Sequence, residues 1–435
     1  MPIANVNELT TGQQYPPERV RYRHDNFERW YRWSQGHWVG LGAKYVGYQG
    51  VTTGAITSVN RQRGFDAADT SDNPQGWPRL TDNIFEFLMH FWEDAVLEDS
   101  PVITGQANEQ PTIDALMRTL MPAARVVVGD LIRYGVGCFV NRQAGNIQAI
   151  DPRFWFPVRP PWDLTQAMGD TDILAWPYAS EMPSDLDGLV IETYTPGMIE
   201  RRFHALESRT IGNQTSETQT LPGAAMHGVI PVRSDDCEFY GQSDFDNSAQ
   251  FVQEIHRRES SVSTALDRHA NPHLQIPEAA VARNADGSIS VDIDGMVIPM
   301  PDGADRDAQY VVWDAKFQYH ESAIQRATQS ILRGSRIAPI LVNAEMDTPQ
   351  LASGAALRRL AIPTVARIKD IRYRLECAMR YAIEGAVSLM AASGQPAVMV
   401  DVDNLMFEWP VPLSSADEDL ADAVDNTETE PAAAA

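Results

Sequence analysis

The sequence predicts an α+β fold, because helical and strand-like patterns occupy separate stretches of the chain. Apolar side chains recur at spacings of three and four over residues 82–98, which predicts a helix with Asp82 as its N-cap. A second helix is predicted over residues 112–134. Residues 138–150 then predict a β-hairpin that turns around residues 143–145.

The middle of the chain carries the alternation that is typical of strands. Short alternating runs over residues 172–232 predict antiparallel strands. The polar residues 206–224 predict a loop within this region. The segment 151–157, which is bounded by Pro152 and Pro157, predicts a turn that leads into extended chain.

The C-terminal half predicts a helix, a β-rich segment and two more helices. Residues 246–269 contain no proline or glycine, and their apolar positions form one stripe. Residues 274–317 alternate as strands do, and residues 319–335 return to a helical pattern. A long helix is predicted over residues 354–390, with a bend at Pro363.

Composition indicates a globular chain without a membrane span. Of the 435 residues, 43% are hydrophobic and 22% are charged, which argues against global disorder. No run approaches the roughly 18 apolar residues of a spanning helix, and we expect no signal peptide. The tail, residues 414–435, holds seven acidic residues and no basic ones, so we predict that it is disordered.

Three cysteines, Cys138, Cys237 and Cys377, are far apart in the sequence. They match no zinc-site spacing and no disulfide framework, so they are expected to be reduced and buried.

The net charge of −24 is unlike that of a conventional nucleic-acid-binding protein. A basic surface grips DNA through its phosphates, whereas an acidic or neutral channel would let DNA slide. On composition alone, an acidic soluble protein that has no contact with DNA is the favoured explanation of the charge.

Aromatic and basic residues crowd residues 15–50, among them Tyr15, Arg23, Phe27 and Trp33. Such a segment either stacks on nucleic-acid bases or packs on the body of a domain or a neighbouring subunit. We favour packing, because most segments of this composition are buried.

Motifs of common enzymes are missing from the sequence. Phosphate-binding loops of ATPases end in Gly-Lys, and none of the three lysines, Lys44, Lys316 and Lys369, follows a glycine. Residues 241–245 depart from the nucleophile elbow of hydrolases at the last position.

The candidate metal ligands are also weak. His269 and His273 have a helical spacing, but Pro272 interrupts the helix between them. Acidic residues that suggest a two-metal nuclease lie in turn-rich sequence, which is more typical of solvated loops; they are Asp292, Asp294, Asp302, Asp305 and Asp307. We predict a protein that is not an enzyme, with no catalytic residue, metal or cofactor.

Four segments carry a resemblance to a known family. They are Tyr240–Phe245 leading into residues 251–258, Leu266–Leu274, Ser353–Leu360 and the end of the hairpin at Asp151–Pro157. Together they resemble the portal proteins of tailed bacteriophages, the head-to-tail connector family, over roughly residues 120–395.

The resemblance implies a ring-forming subunit with a mixed α/β wing, a two-helix stem, a β-rich clip and a long bent C-terminal helix. The implied divisions are 1–242, the N-terminal region and wing; 243–270, the first stem helix; 271–318, the clip; 319–337, the second stem helix; 338–353, the tunnel loop; 354–413, the helix that returns to the wing or crown; and 414–435, the acidic tail. Physical reasoning agrees, because two helices of similar length would pair antiparallel, and a helix of about 24 residues extends roughly 36 Å.

The resemblance also implies site residues. The tunnel loop would face DNA with Asn343, Glu345, Met346, Asp347, Thr348 and Gln350. Its two acids would repel phosphates, and its amides would make weak contacts; an ordinary surface loop is the alternative. Arg257, Arg258 and Glu259 are expected at a subunit interface, with a solvated polar face as the alternative. In the clip, Ile289, Val291 and Ile293 are expected in strands shared between subunits.

The implied function is a channel for DNA packaging and ejection at one capsid vertex of a virion, assembled in the host cytoplasm. Expected partners are other copies in a ring of about twelve subunits, double-stranded DNA without sequence specificity, the terminase large subunit, the head-tail adaptor, and the major capsid and scaffolding proteins. Two alternatives stay open: a DNA-processing nuclease of the packaging apparatus, and another structural virion protein such as an adaptor.

Overall fold

The computed structural model describes residues 2–3, 5–36, 83–159, 171–178, 188–207, 209–225, 228–236, 239–270, 273–277, 297–300, 309–311, 317–342, 354–396 and 398–412. Helices and antiparallel strands occupy separate stretches, so the α+β prediction is confirmed. The chain divides into two compact units. The first contains residues 1–36, 83–248 and 332–435, and the second contains residues 37–82 and 249–331.

The described residues contain six α-helices. They are α1 (Glu18–Ser34), α2 (Ile84–Leu97), α3 (Gln110–Tyr134), α4 (Asp244–Ala270), α5 (Phe317–Gly334) and α6 (Gly354–Ala392). Helices α2 to α6 lie where the periodicity of the sequence predicts them, within a few residues at each end.

Local capping explains where two of these helices begin and end. The N-cap of α2 is Asn83, whose side-chain oxygen accepts a hydrogen bond from the Glu86 amide at 3.4 Å. The predicted cap, Asp82, lies outside the described residues. Helix α3 ends at Gly135, which has a left-handed φ of 81° and donates its amide to the Leu131 carbonyl.

A six-stranded antiparallel sheet forms the centre of the first unit. Its strands are β4 (Trp155–Pro157), β5 (Asp172–Tyr178), β6 (Gly188–Thr195), β7 (Met198–Glu207), β8 (Thr210–Gln214) and β9 (Gln219–Pro222). They follow the order β4-β5-β6-β7-β8, and β9 also pairs with β7. The predicted antiparallel strands are therefore confirmed.

The predicted loop over residues 206–224 is wrong. This stretch holds the last residues of β7 and the strands β8 and β9. Most side chains of β8 and β9 are exposed, so the strands contain polar residues instead of an apolar alternation. Their pairing with β7 through backbone hydrogen bonds does not depend on side-chain polarity.

The N-terminal segment covers both edges of this sheet. Ile3 exchanges backbone hydrogen bonds with Pro157 and Arg159 beside β4. At the other edge, Tyr15 donates its amide to the Arg209 carbonyl at 2.7 Å, next to β8. Ile3, Leu9 and Tyr15 are buried in one apolar cluster with residues of the sheet. Apolar side chains of the N-terminal segment therefore contribute to the core of this sheet.

A smaller sheet and a two-stranded ribbon complete the first unit. The hairpin β2 (Val136–Gln143) and β3 (Asn146–Ile150) pairs with β10 (Val229–Arg233) in the order β10-β2-β3. The predicted hairpin is thus confirmed. Near the C-terminus, β14 (Met406–Glu408) pairs antiparallel with β1 (Val102–Thr104).

The second unit contains most of α4 and α5 and the short sheet between them in the sequence. Its strands are β11 (His273–Pro277), β12 (Val297–Met300) and β13 (Gln309–Val311), in the order β12-β11-β13. The β-rich prediction for residues 274–317 is confirmed for these strands. Ile289, Val291 and Ile293 lie outside the described residues, as do Asp292, Asp294, Asp302, Asp305 and Asp307.

Helix α6 extends over 39 residues and contains Pro363. Its buried face includes Ile368, Leu375, Met379 and Ile383. The predicted bend at Pro363 stays a prediction, and the acidic tail lies outside the described residues. Cys138 is buried, as predicted, whereas Cys377 is half-buried.

Candidate functional site at the helix junction

The predicted tunnel-loop residues lie in a gap between two described segments. Asn343, Glu345, Met346, Asp347, Thr348 and Gln350 are outside the described residues. The chain is described as far as Val342, and again from Gly354 in α6. The function of this loop stays a prediction, whereas the residues that lead into it, 335–342, belong to the described structure.

The predicted interface residues lie on α4, where two of them share one carboxylate. Arg257 donates to both Glu254 oxygens, at 2.8 and 3.0 Å, and Arg258 donates to Glu254 at 2.7 Å. Burial acts to raise the pKa of Glu254, but these hydrogen bonds outweigh it and lower the pKa. Glu259 also has an interaction partner. Contacts of these residues with another subunit stay a prediction.

An ion pair joins the start of α4 to the middle of α6. Arg367 donates one guanidinium nitrogen to each carboxylate oxygen of Asp244, at 2.8 and 2.9 Å. The same guanidinium donates to the Ser335 carbonyl, just beyond the end of α5, at 2.7 Å. Both side chains are about nine-tenths buried. One arginine therefore fixes the start of α4 and the end of α5 in the first unit.

Two neighbouring features interact favourably with this pair. The guanidinium carbon lies 4.5 Å from the ring centroid of Trp92 on α2, which is a cation–π distance. Asp244 lies in the first turn of α4, where the helix dipole stabilises a negative charge.

Thr364 makes a second connection, one turn before Arg367 on α6. Its hydroxyl donates to the Arg336 carbonyl at 2.9 Å and accepts from the Ala338 amide at 2.8 Å. Thr364 is fully buried. Residues 335–338, which lead into the predicted tunnel loop, are therefore attached to α6 at two adjacent turns. We call Asp244, Ser335, Arg336, Thr364 and Arg367 the helix junction.

Ser243 has a structural role beside the helix junction. Its hydroxyl donates to the Arg133 carbonyl at 2.6 Å and accepts from the Phe245 amide at 3.1 Å. The second bond is that of a helix N-cap, and it places Ser243 directly before α4. Because this hydroxyl is engaged in both directions, Ser243 does not have the arrangement of a nucleophile, which agrees with the incomplete elbow motif.

The aromatic and basic segment packs against the sheets of the first unit. The Arg23 guanidinium lies over the rings of Tyr240, Phe27 and Phe156, at 4.4, 5.1 and 5.4 Å. It also donates to the Trp155 carbonyl at 3.0 Å. Packing is therefore confirmed for the described part of this segment, and these rings are not available for stacking on bases.

Two buried carboxyl groups have raised pKa values. Burial raises the pKa of Asp172 to about 6, although the Arg159 charge and a hydrogen bond from Trp155 Nε1 act in the opposite direction. Burial also raises the pKa of Asp130, although Arg133 lies 3.0 Å away. Since both groups lie within the packed first unit, they are more typical of a structural core than of a catalytic cleft.

The described residues offer no group of three His, Cys, Asp or Glu side chains that is placed to hold a metal ion. The side chains of His269 and His273 are not among those described, so the structure does not test that pair. None of the described helices combines the length and the hydrophobicity that a membrane span needs.

Comparison with known proteins does not assign this chain to a family. No protein-family model matches the chain, and no curated protein matches it. One similar solved structure is the neck of an empty GTA particle computed with C6 symmetry, at 13% identity and a TM-score of 0.44, covering 83% of this chain and 88% of the other. Another is the neck of a native GTA particle computed with C12 symmetry, at the same identity and TM-score, covering 84% and 88%. Structural similarity at this TM-score supports no conclusion about function.

The sequence alone does not indicate the helix junction. Asp244 belongs to a segment that carries the family resemblance, but nothing in its neighbourhood points to Arg367, 123 residues away. Thr364 follows Pro363, which draws attention to a bend and not to a hydroxyl. Only the tertiary structure brings these groups together.

Proposed function

We propose that this chain is one subunit of a head-to-tail connector ring, the portal through which DNA enters and leaves the capsid of a tailed phage or phage-like particle. In this proposal the protein is a passive conduit and a docking platform. The ATPase of the packaging motor is a different polypeptide, and the chain itself catalyses no reaction.

The observation that carries the proposal is the helix junction. Residues 249–331 belong to the second unit, together with residues 37–82, and they lie in the sequence between two parts of the first unit. The helices at its two ends, α4 and α5, are both fixed by Arg367. A stem needs this arrangement, because a helix–strand–helix insertion can extend from a wing only if both its ends are anchored there.

The positions of the other segments support the same assignment. In the proposal the first unit up to residue 242 is the wing, α4 and α5 are the stem helices, and β11 to β13 belong to the clip. Residues 338–353 form the tunnel loop, and they begin at Ala338, which Thr364 binds. The loop thus starts from an immobilised point, as a loop that guides DNA requires.

The charge of the chain supports a channel in preference to a DNA-gripping protein. The net charge is −24, and Arg23 of the N-terminal segment is engaged with aromatic rings of the first unit. A duplex that contacts few basic groups remains mobile, because each phosphate contact adds to affinity.

Electron microscopy of the purified full chain tests the proposal. We expect end-on views of rings with about twelve subunits and a channel at least roughly 20 Å wide, enough for a duplex. A monomer or dimer at micromolar concentration would contradict it. Cleavage of DNA that needs added Mg²⁺ or Mn²⁺ would support the nuclease alternative instead.

A further inference from the structure

Helix α5 ends in a left-handed turn at Arg336. The Ile337 amide donates to the Leu332 carbonyl at 2.8 Å, and the Arg336 amide donates to the Arg333 carbonyl at 3.1 Å. This pair of hydrogen bonds is a Schellman motif, whose left-handed residue is usually glycine. Here that residue is an arginine, with φ at 56°.

An arginine at this position costs stability that a glycine would not. A left-handed conformation in a residue with a Cβ costs on the order of 1 kcal/mol. Arg336 contributes its backbone carbonyl to Thr364, and a glycine carbonyl would make the same bond. Its side chain is exposed, and no described carboxylate forms an ion pair with it. Among the described residues, no ion pair therefore gives this side chain a role in stabilising the fold.

One more basic side chain lies close to Arg336 in the chain. Arg333 lies one turn earlier on α5 and is exposed. No described carboxylate forms an ion pair with it. In a chain with a net charge of −24, the end of α5 therefore carries two arginines without an ionic partner among the described residues.

We propose that Arg333 and Arg336 bind backbone phosphates of double-stranded DNA just before the predicted tunnel loop. This inference rests on the proposed function. Guanidinium groups suit the task, because their planar donors match phosphate oxygens. The backbone strain at Arg336 is then the cost of presenting a charge two residues before the predicted loop begins at Ala338.

These contacts are compatible with a channel through which DNA moves. Contacts to phosphates do not depend on sequence and can be exchanged along the duplex, and in the proposal the acids Glu345 and Asp347 of the loop oppose tighter binding. The same arginines would also attract the acidic tail, residues 414–435, so the experiment must separate the two anions.

The decisive variant is Arg336→Gly, because it removes the charge and also the strain of the left-handed backbone conformation. It is compared with Arg333→Gln and with Arg118→Gln, which removes an exposed arginine on α3 that likewise has no ion pair with a described residue. For each full-length variant we would measure the melting temperature, ring assembly by electron microscopy, and the anisotropy of a fluorescent 30-base-pair duplex over a range of NaCl concentrations.

We expect Arg336→Gly to assemble normally, with a melting temperature equal to or above that of the wild type. We expect its DNA affinity to fall about fivefold at low salt, with a shallower salt dependence, as for the loss of one phosphate contact per site. Arg333→Gln should weaken DNA binding similarly, and Arg118→Gln should leave it unchanged.

Several results would overturn the inference. Rings that do not bind the duplex even at low salt, or Arg336→Gly rings with unchanged affinity, would exclude a phosphate contact while leaving the proposed portal function intact. A lower melting temperature of Arg336→Gly would show that the arginine side chain stabilises the folded protein and is not kept for binding DNA. If removal of residues 414–435 raised DNA affinity and Arg336→Gly cancelled that gain, the tail would be the natural occupant. Failure of the wild-type protein to form any ring would count against the portal function itself.

Discussion

Arg367 and Asp244 form a two-point ion pair although 123 residues separate them in the chain. The pair connects α6 to the first turn of α4, and a third bond from Arg367 reaches Ser335. Because both charges are largely buried, each depends on the other for the interactions that water would otherwise supply. Within the first unit, the position of the start of α4 beside residue 335 therefore depends on a single arginine.

Loss of either partner should destabilise the first unit strongly. We expect Arg367→Ala or Asp244→Ala to lower the free energy of unfolding by about 3–5 kcal/mol, because each leaves an uncompensated buried charge. The double variant should cost much less than the sum of the two, which a double-mutant cycle in urea would measure.

The matched control is an ion pair on the same helix. Arg374 also makes two bonds to an aspartate, Asp236, but that carboxylate is 74% exposed. Arg374→Ala should cost less than about 1 kcal/mol, because water replaces the lost bonds. Equal effects of Arg367→Ala and Arg374→Ala would show that burial does not determine the strength of the Asp244 pair.

The Thr364 hydroxyl should contribute separately from the ion pair. Thr364→Val keeps the shape of the side chain but removes the hydroxyl, leaving the Ala338 amide and the Arg336 carbonyl without their partner. We expect a loss of about 1–3 kcal/mol on chemical denaturation. Thr364→Ser retains the hydroxyl and should cost less than Thr364→Val. If the serine variant were the less stable of the two, packing of the methyl group and not hydrogen bonding would be the main function of Thr364.

The elements that the sequence predicted well have a buried apolar face. Helix α2 is an example, because Phe85, Leu88 and Trp92 repeat at helical spacing and are buried. Strands β8 and β9 were missed, because they are polar and are held by backbone pairing with β7. The helix junction was missed for another reason: its contacts join residues distant in sequence and follow no periodic pattern. Arg336 shows the same limit, since glycine is the usual sign of a left-handed helix end.

The stability of the first unit should depend on the protonation of Asp172. Burial raises the pKa of this carboxyl to about 6, above its ordinary value of 3.8. The folded protein therefore retains a proton on Asp172 at pH values where the unfolded chain has lost it, and this favours folding below about pH 4. The advantage declines as the pH rises through 6, by up to about 3 kcal/mol.

Asp172→Asn removes this titration and keeps an oxygen that can accept from Trp155 Nε1. We expect its stability to change less than that of the wild type between pH 4.5 and 7.5, and to be at least equal to it at pH 7.5. Urea denaturation over this pH range measures the difference. Parallel pH profiles of the two proteins would show that Asp172 does not titrate in this range.

The acids of the predicted tunnel loop should limit how tightly DNA is held. Under the proposed function, Glu345 and Asp347 face the duplex and repel its phosphates. Replacing both by lysine changes the local charge by about four units per subunit, and the ring repeats this change around the channel. We expect DNA to bind the variant rings more tightly and with a steeper salt dependence, and particles that carry the variant to package DNA less completely. The control replaces two exposed acids of the first unit, Asp25 on α1 and Glu217 between β8 and β9, by lysine, which makes the same change of charge at residues outside the helix junction. Unchanged DNA binding and packaging in Glu345→Lys/Asp347→Lys would show that the loop does not face DNA in the channel. Equal effects of this variant and the control variant would indicate only a general response to net charge.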